Sequence, residues 1–187
     1  MKHYLLLLFT FLFFNSVSAK NKSNEPTWDS LDARPIPSWF ANAKFGIFIH
    51  WGIYSVPMWS PKGTYQEWYQ YWLENKKLFG NGDFTGSEIY DYHMKMYGEE
   101  FSYADFAPKF KALDYNADDW AELFRKSGAK YVVLTTKHHD GFALWPSKEA
   151  SRDYARPWNS VEIGAKRDLV GEYASAVSYT HLRAHET

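Results

Sequence analysis

The 187-residue sequence contains no cysteine. A disulfide framework, a thiolate metal site and a thiol nucleophile are thereby excluded, and stability must come from a packed core. A dominant charge is missing too: 21 Lys and Arg stand against 22 Asp and Glu, with no long run of one sign. On that balance neither nucleic acid nor an anionic surface is an expected partner. No apolar run reaches the roughly twenty residues needed to cross a bilayer. The run Tyr4 to Phe14 follows Lys2 and His3 and precedes Val17-Ser18-Ala19. This is the layout of a signal peptide cleaved near Ala19, and it predicts a secreted or periplasmic chain beginning near Lys20, without stable membrane insertion.

What the chain has in excess is aromatic surface, with nine Trp, fourteen Tyr and fourteen Phe making up 20% of the residues. Aromatic faces suit the apolar CH patches of sugar rings, while their polar tips serve hydroxyls, so a carbohydrate cleft is one reading. A generously packed aromatic core accounts for the composition equally well.

Two stretches organise the chain. Lys44 to Ile49 reads as a strand, apolar on both faces, that exits through His50-Trp51-Gly52. Tyr131 to Thr136 reads as a second strand, followed by Lys137-His138-His139-Asp140-Gly141. Helical patterns lie between and around them, so the expected class is α/β, with both strands parallel in one sheet and both histidine groups at its carboxyl-terminal edge. That edge is where α/β barrels keep their active sites. Residues 20–38 read as a polar lead-in, with Ser38 able to cap a short helix from Trp39 to Ala43. The long segment from Gly52 to Gly82 has helical character between Tyr65 and Leu73, and Gly98 to Phe110 holds another short helical pattern. A helix is predicted between Asn116 as N-cap and Gly128 as stop, with Asp118 and Asp119 in its first turn and Arg125 and Lys126 in its last. Ser147 to Ile163 reads as a polar loop, and a further helix is predicted from Lys166 to Val177. Residues 178–187 continue neither the apolar period nor a strand, and read as a tail outside the fold.

The histidines carry the chemistry. A neutral imidazole both donates and accepts hydrogen bonds, as a sugar hydroxyl does. His50 alone is explained as well by a core histidine bonded to backbone. His138 and His139 shift that balance by adding imidazole from a second strand end, although adjacent residues leaving a strand point to opposite sides. Zinc is the competing ligand, but adjacent histidines rarely aim at one metal and no further ligand stands at a recognisable spacing, so no metal and no cofactor is assigned. Asp140 either orients a histidine or caps the loop. Glu67 and Trp68, in the segment after the first strand, pair a hydroxyl acceptor with a flat apolar face, or else form an ordinary helix turn. Phe48, two residues before His50 and on the same side of the strand, either walls a pocket or fills an interior.

Phe45-Gly46-Ile47-Phe48-Ile49-His50-Trp51-Gly52, Glu67-Trp68-Tyr69, Lys137-His138-His139-Asp140-Gly141-Phe142 and Lys166-Arg167-Asp168-Leu169-Val170-Gly171-Glu172 together resemble the amino-terminal part of an α-L-fucosidase of glycoside hydrolase family twenty-nine, over Trp39 to Val177. The resemblance implies an irregular (β/α)8 barrel of which this chain carries the first βα units, and a retaining exo-glycosidase that removes terminal α-L-fucose. The mature chain is short of the ~250 residues of a closed barrel, so a truncated, partial barrel is expected. It implies that His50, His138 and His139 hold fucose hydroxyls, with Glu67 and Trp68 beside them and Phe48 near the C6 methyl. The aspartate nucleophile and the acid/base are implied on later strands, beyond the chain's end, so no catalytic residue is assigned here and the 187 residues are expected to be inactive alone. The partner implied is a fucosylated oligosaccharide or glycoconjugate. This reading divides the chain into a leader, 1–19, a lead-in, 20–38, the start of the barrel, 39–177, and the tail. A non-catalytic carbohydrate-binding module and a histidine-based metal-dependent hydrolase are the alternatives from other classes.

Overall fold

The computed structural model describes residues 25–75, 85–180 and 183–186, so the expected signal peptide lies outside the described residues. The chain divides into two compact units, residues 1–37 and 38–187. In the first, the segment expected as a plain lead-in contains a short helix, α1 (Trp28–Asp32), whose start is capped by the Thr27 hydroxyl accepting from the Ser30 N–H.

The second unit is built on a three-stranded parallel sheet. After α2 (Ser38–Ala43) come β1 (Gly46–Ile49), β2 (Tyr131–Leu134) and β3 (Arg183–Glu186), with β2 in the middle. Gly46 pairs with Tyr131 and Ile49 with Leu134, while Tyr131 pairs with Arg183 and Leu134 with Glu186. Parallel neighbours require long crossovers. The first runs through α3 (Tyr69–Glu74), α4 (Thr85–Tyr97), a 3-10 segment at Tyr103–Lys109 and α5 (Ala117–Ser127). The second holds α6 (Lys148–Asp153) and α7 (Leu169–Tyr179).

Two expectations are corrected here. The strand at 44–49 is not buried on both faces: Lys44 takes a positive φ, the strand begins at Gly46, and Phe48 is 66% exposed. Within the stretch expected as a tail, the described residues join the fold, since α7 runs to Tyr179 and Arg183–Glu186 pairs with β2. A parallel ladder uses backbone N–H and C=O groups, so apolar periodicity is a poor guide to a four-residue strand.

Two apolar clusters hold the unit together. Ala121 and Phe124 of α5 and Tyr173 and Val177 of α7 pack on Val132 and Leu134 of β2. A larger cluster joins Ile53, Tyr54, Tyr69, Ile89, Phe106, Phe142 and Trp158 under the loops that leave the sheet. Each large side chain buried in this way contributes about 1.5–3 kcal/mol as an upper bound. Helix α4 is not among the expected elements. Its inward face carries Ile89 and a fully buried histidine, His93, so a pattern of aliphatic residues underrates it. His93 Nε2 lies 2.6 Å from the Phe101 carbonyl and must donate there, which leaves Nδ1 to accept from the Tyr69 hydroxyl at 3.0 Å.

Candidate functional site

The two histidine groups emerge side by side because β1 and β2 are paired in parallel and end together. The ladder runs one step past the strands, with the Thr135 N–H donating to the Ile49 carbonyl at 3.0 Å. His50 follows at once. Trp51 turns inward, its ring centroid 4.8 to 5.2 Å from those of Phe110, Tyr115 and Trp120, and this anchors the exit of β1.

On the β2 side the chain doubles back. Lys137 bridges Ala143, the Leu144 N–H donates to the Thr136 carbonyl at 3.0 Å, and the Gly141 N–H donates to the His138 carbonyl at 2.9 Å. Gly141 has φ of 71°, in the left-handed region, and a Cβ there would meet the Tyr154 hydroxyl at 2.1 Å.

Asp140 locks this loop from inside. It is 3% exposed, its Oδ2 accepts from the Tyr103 hydroxyl at 2.7 Å, its Oδ1 accepts from the Phe142 N–H at 3.0 Å, and its carbonyl accepts from the Trp158 indole at 2.8 Å. Burial pushes its carboxyl above the ordinary range, against the two hydrogen bonds. Of the two readings of Asp140, a histidine orienter and a loop cap, the geometry is that of the cap.

The imidazoles meet. The His50 and His138 ring centroids lie 5.4 Å apart and those of His138 and His139 lie 4.6 Å apart, both pairs edge-on. His138 and His139 therefore do not diverge as strand neighbours would, because β2 ends at Leu134 and strand alternation no longer governs residues 138 and 139. Trp68 closes the group, its ring 4.1 Å from His139 and 6.4 Å from His138. It reaches this place on the 3-10 turn Gln66–Trp68 that leads into α3, where it also stacks on Trp72 at 5.7 Å.

Below His138 lies Tyr54, with ring centroids 5.5 Å apart. Sequence reasoning missed Tyr54, whose one signal was its place four residues after His50. The Tyr54 hydroxyl and His138 Nδ1 are buried with no hydrogen-bond partner among the described residues. Burial, and secondarily the charges of His139 and His50, hold the His138 imidazole below its ordinary range, while Glu67 opposes through its charge and a backbone hydrogen bond. A neutral imidazole keeps one donor and one acceptor nitrogen, the pairing that a ligand hydroxyl needs.

Glu67, Trp68, His139 and Asp140 line a cavity of about 270 Å³ together with Gln70, Glu74 and Tyr154. His50, His138 and Phe48 are not among the residues that line it. Among the described residues no group of three His, Asp or Glu is placed to hold a metal ion. No described helix is long and apolar enough to cross a membrane.

Similarity to known proteins covers this whole region. The sequence profile of the family described as alpha-L-fucosidase matches residues 11–186. Tissue alpha-L-fucosidase of Bos taurus is 46% identical over 159 residues, which are 84% of this chain and 30% of that protein. Alpha-L-fucosidase of Branchiostoma floridae is 51% identical over 152 residues, 81% of this chain and 30% of that one. The crystal structure of Thermotoga maritima alpha-fucosidase in complex with fucose superposes with a TM-score of 0.74 at 46% identity, covering 87% of this chain and 36% of that chain. The chain thus spans about a third of the length of the relatives it matches.

Proposed function

The chain belongs to the alpha-L-fucosidase family, and from that premise we propose that it serves the hydrolysis of terminal α-L-fucose from fucosylated oligosaccharides or glycoconjugates, as the fucose-holding start of a (β/α)8 barrel. The parallel order of β1, β2 and β3, with a crossover between each pair, is the arrangement such a barrel repeats. The observation that carries the reading is the meeting of three imidazoles from two strand ends, His50 beside His138 and His138 beside His139, with the Trp68 indole against His139.

In this reading His50, His138 and His139 exchange hydrogen bonds with fucose hydroxyls, Glu67 accepts from another, and Trp68 covers an apolar face of the ring. Phe48, exposed on β1, is assigned to the C6 methyl. These groups position the sugar and strengthen their bonds as the ring flattens toward its oxocarbenium-like transition state. Retention also needs two carboxylates about 5–5.5 Å apart, one attacking the anomeric carbon and one protonating the leaving oxygen. Asp140 is not assigned to either role, since both its oxygens are engaged inside the loop. The pair is assigned to later barrel strands, as the family resemblance implies. Export is part of the proposal, on the leader pattern at 1–19.

Saturation-transfer NMR on the 187-residue chain with L-fucose tests the binding role, with D-glucose as control. Transfer to the fucose ring and methyl protons, lost on His139→Ala, is the expected result. Absence of transfer, or equal transfer to D-glucose, overturns it.

A further inference from the structure

The stretch from Lys166 to Glu172 is one of those that carry the family resemblance, yet none of its residues lines the cavity beside the histidines. Its contacts run instead to the two strand exits. Arg167 is anchored at its backbone: its N–H donates to the Ser160 carbonyl at 3.1 Å, and its carbonyl accepts from the Ser160 hydroxyl at 2.7 Å. Ser160 is fully buried and donates its own N–H to the Ala143 carbonyl at 2.8 Å. Ala143 in turn bridges Lys137, so the foot of Arg167 stands on the stem of the loop that presents His138 and His139.

The guanidinium reaches the other exit. Nη1 donates to the Ala112 and Tyr115 carbonyls, each at 3.3 Å, and the guanidinium carbon lies 5.3 Å from the Tyr115 ring centroid. The hydroxyl of this buried tyrosine donates to the Leu169 carbonyl at 3.4 Å, so both its ends are held from the same stretch. Tyr115 packs on Trp51 at 4.8 Å between ring centroids, and Trp51 directly follows His50. His50 is exposed, so its aim depends on the backbone on either side, fixed by the ladder at Ile49 and by the Trp51 anchor. Glu172 seats the guanidinium, accepting from Nε at 2.9 Å and, through its second oxygen, from Nη2. A planar fork of N–H donors can serve one carboxylate and two carbonyls at once, and an ammonium cannot.

We propose that Arg167 is a positioning residue, which sets the reach between His50 and His138 by joining the stems of both strand exits. The proposal rests on the assignment of these histidines to fucose. Arg167 itself meets no sugar. It acts through Tyr115 and Trp51 on one side and through Ser160 and Ala143 on the other.

Ring-proton NMR and titration with L-fucose on the 187-residue chain test it. Arg167→Lys keeps the charge but loses the fork. It is expected to weaken the cross-relaxation between His50 and His138 ring protons and to leave that between His138 and His139 as in wild type. Fucose affinity is expected to fall about fivefold, the loss of one net hydrogen bond. Glu172→Gln removes the partner charge but keeps an acceptor for Nε, with both carbonyls and Ser160 in place. Its melting point is expected to fall, with the His50–His138 contact and the affinity unchanged, which separates positioning from stabilisation. Tyr115→Leu takes away the ring between the guanidinium and Trp51 and is expected to reproduce the Arg167→Lys losses, and the double variant should lose no more than either single one. A His50–His138 contact unchanged in Arg167→Lys, an equal loss in Glu172→Gln, or losses that add in the double variant overturn the proposal, whatever the melting points. Failure of the wild type to bind L-fucose overturns the fucose assignment and leaves the ring-proton contact to decide the role of Arg167.

Discussion

Tyr103 donates its phenol hydrogen to Oδ2 of Asp140 at 2.7 Å, joining residues 37 positions apart and tying the 3-10 segment at 103–109 to the loop that presents His138 and His139. The bond is inside the protein, where water cannot replace it. The shape of the histidine loop therefore depends on an element that never touches a ligand.

Tyr103→Phe removes the donor and leaves a buried carboxyl oxygen short of a partner. The expected loss is about 1–3 kcal/mol of stability, read as a lower urea midpoint with an unchanged slope. A variant as stable as the parent would mean that the bond is replaced or was worth nothing.

Asp140 makes stability depend on pH. Its carboxyl is held above the ordinary range by burial, so the folded state binds this proton more tightly than the unfolded one. Its contribution favours the fold below the ordinary carboxylate value of about 4 and is lost as pH rises toward the folded value. Equilibrium melts of wild type and Asp140→Asn from acid to neutral pH are expected to show the wild type losing ground to the variant over that window. A gap that is constant, or that widens in favour of the wild type, contradicts the expected sign.

How far the sequence foretold this structure depended on whether a signal was local. Helix α5 was legible because its cues lie within its own length: Asn116 Oδ1 accepts from the Asp118 and Asp119 N–H groups, and Gly128 takes φ of 88°. Both histidine-tipped strands were legible for the same reason. The start of α7 was misjudged by three residues, since Lys166 has a positive φ and Asp168 is the cap, accepting from the Gly171 N–H at 2.9 Å. Helix α6 lay in a stretch expected as loop, although Ser147 caps it by accepting from the Ala150 N–H at 3.2 Å. The meeting of His138 with His139, the Tyr54 ring beneath them and the encasement of Asp140 come from loop turns and long-range packing, which periodicity does not report.

His138 supplies a spectroscopic check. Its imidazole is held below the ordinary range, mostly by burial and next by His139. A depressed folded pKa means that its contribution to stability is complete above the ordinary value of about 6.5 and is lost as pH falls toward the folded value. The ring-proton titration of His138 is expected to have its midpoint below 6.5, and His139→Ala is expected to move that midpoint upward. A midpoint at or above the ordinary value removes burial as the governing effect.

Gly141 tests whether the loop is built around its glycine. Alanine there meets two costs, a left-handed φ of 71° and a Cβ 2.1 Å from the Tyr154 hydroxyl. Gly141→Ala is expected to destabilise by about 1–3 kcal/mol. Tyr154→Ala in the same chain removes the clash but not the backbone strain, so the double variant should recover part of the loss beyond additivity. Strict additivity in the cycle would show that the tyrosine does not press on residue 141.

The histidines themselves give the most direct prediction. His138 has a buried Nδ1 with no partner among the described residues, and His139 stands against Trp68 at the cavity wall. If each bonds a sugar hydroxyl, His138→Ala or His139→Ala leaves that hydroxyl unpaired in the complex and costs more than ~1 kcal/mol, so fucose affinity falls by more than about fivefold. The two variants should differ in the free protein. Removing half-buried His138 opens space over Tyr54 and should lower the melting point, whereas removing exposed His139 should leave it nearly unchanged. Isothermal titration and melting curves on the same samples separate the two effects. Fucose affinity unchanged in both variants would take these histidines out of the site, whatever their effect on the melting point.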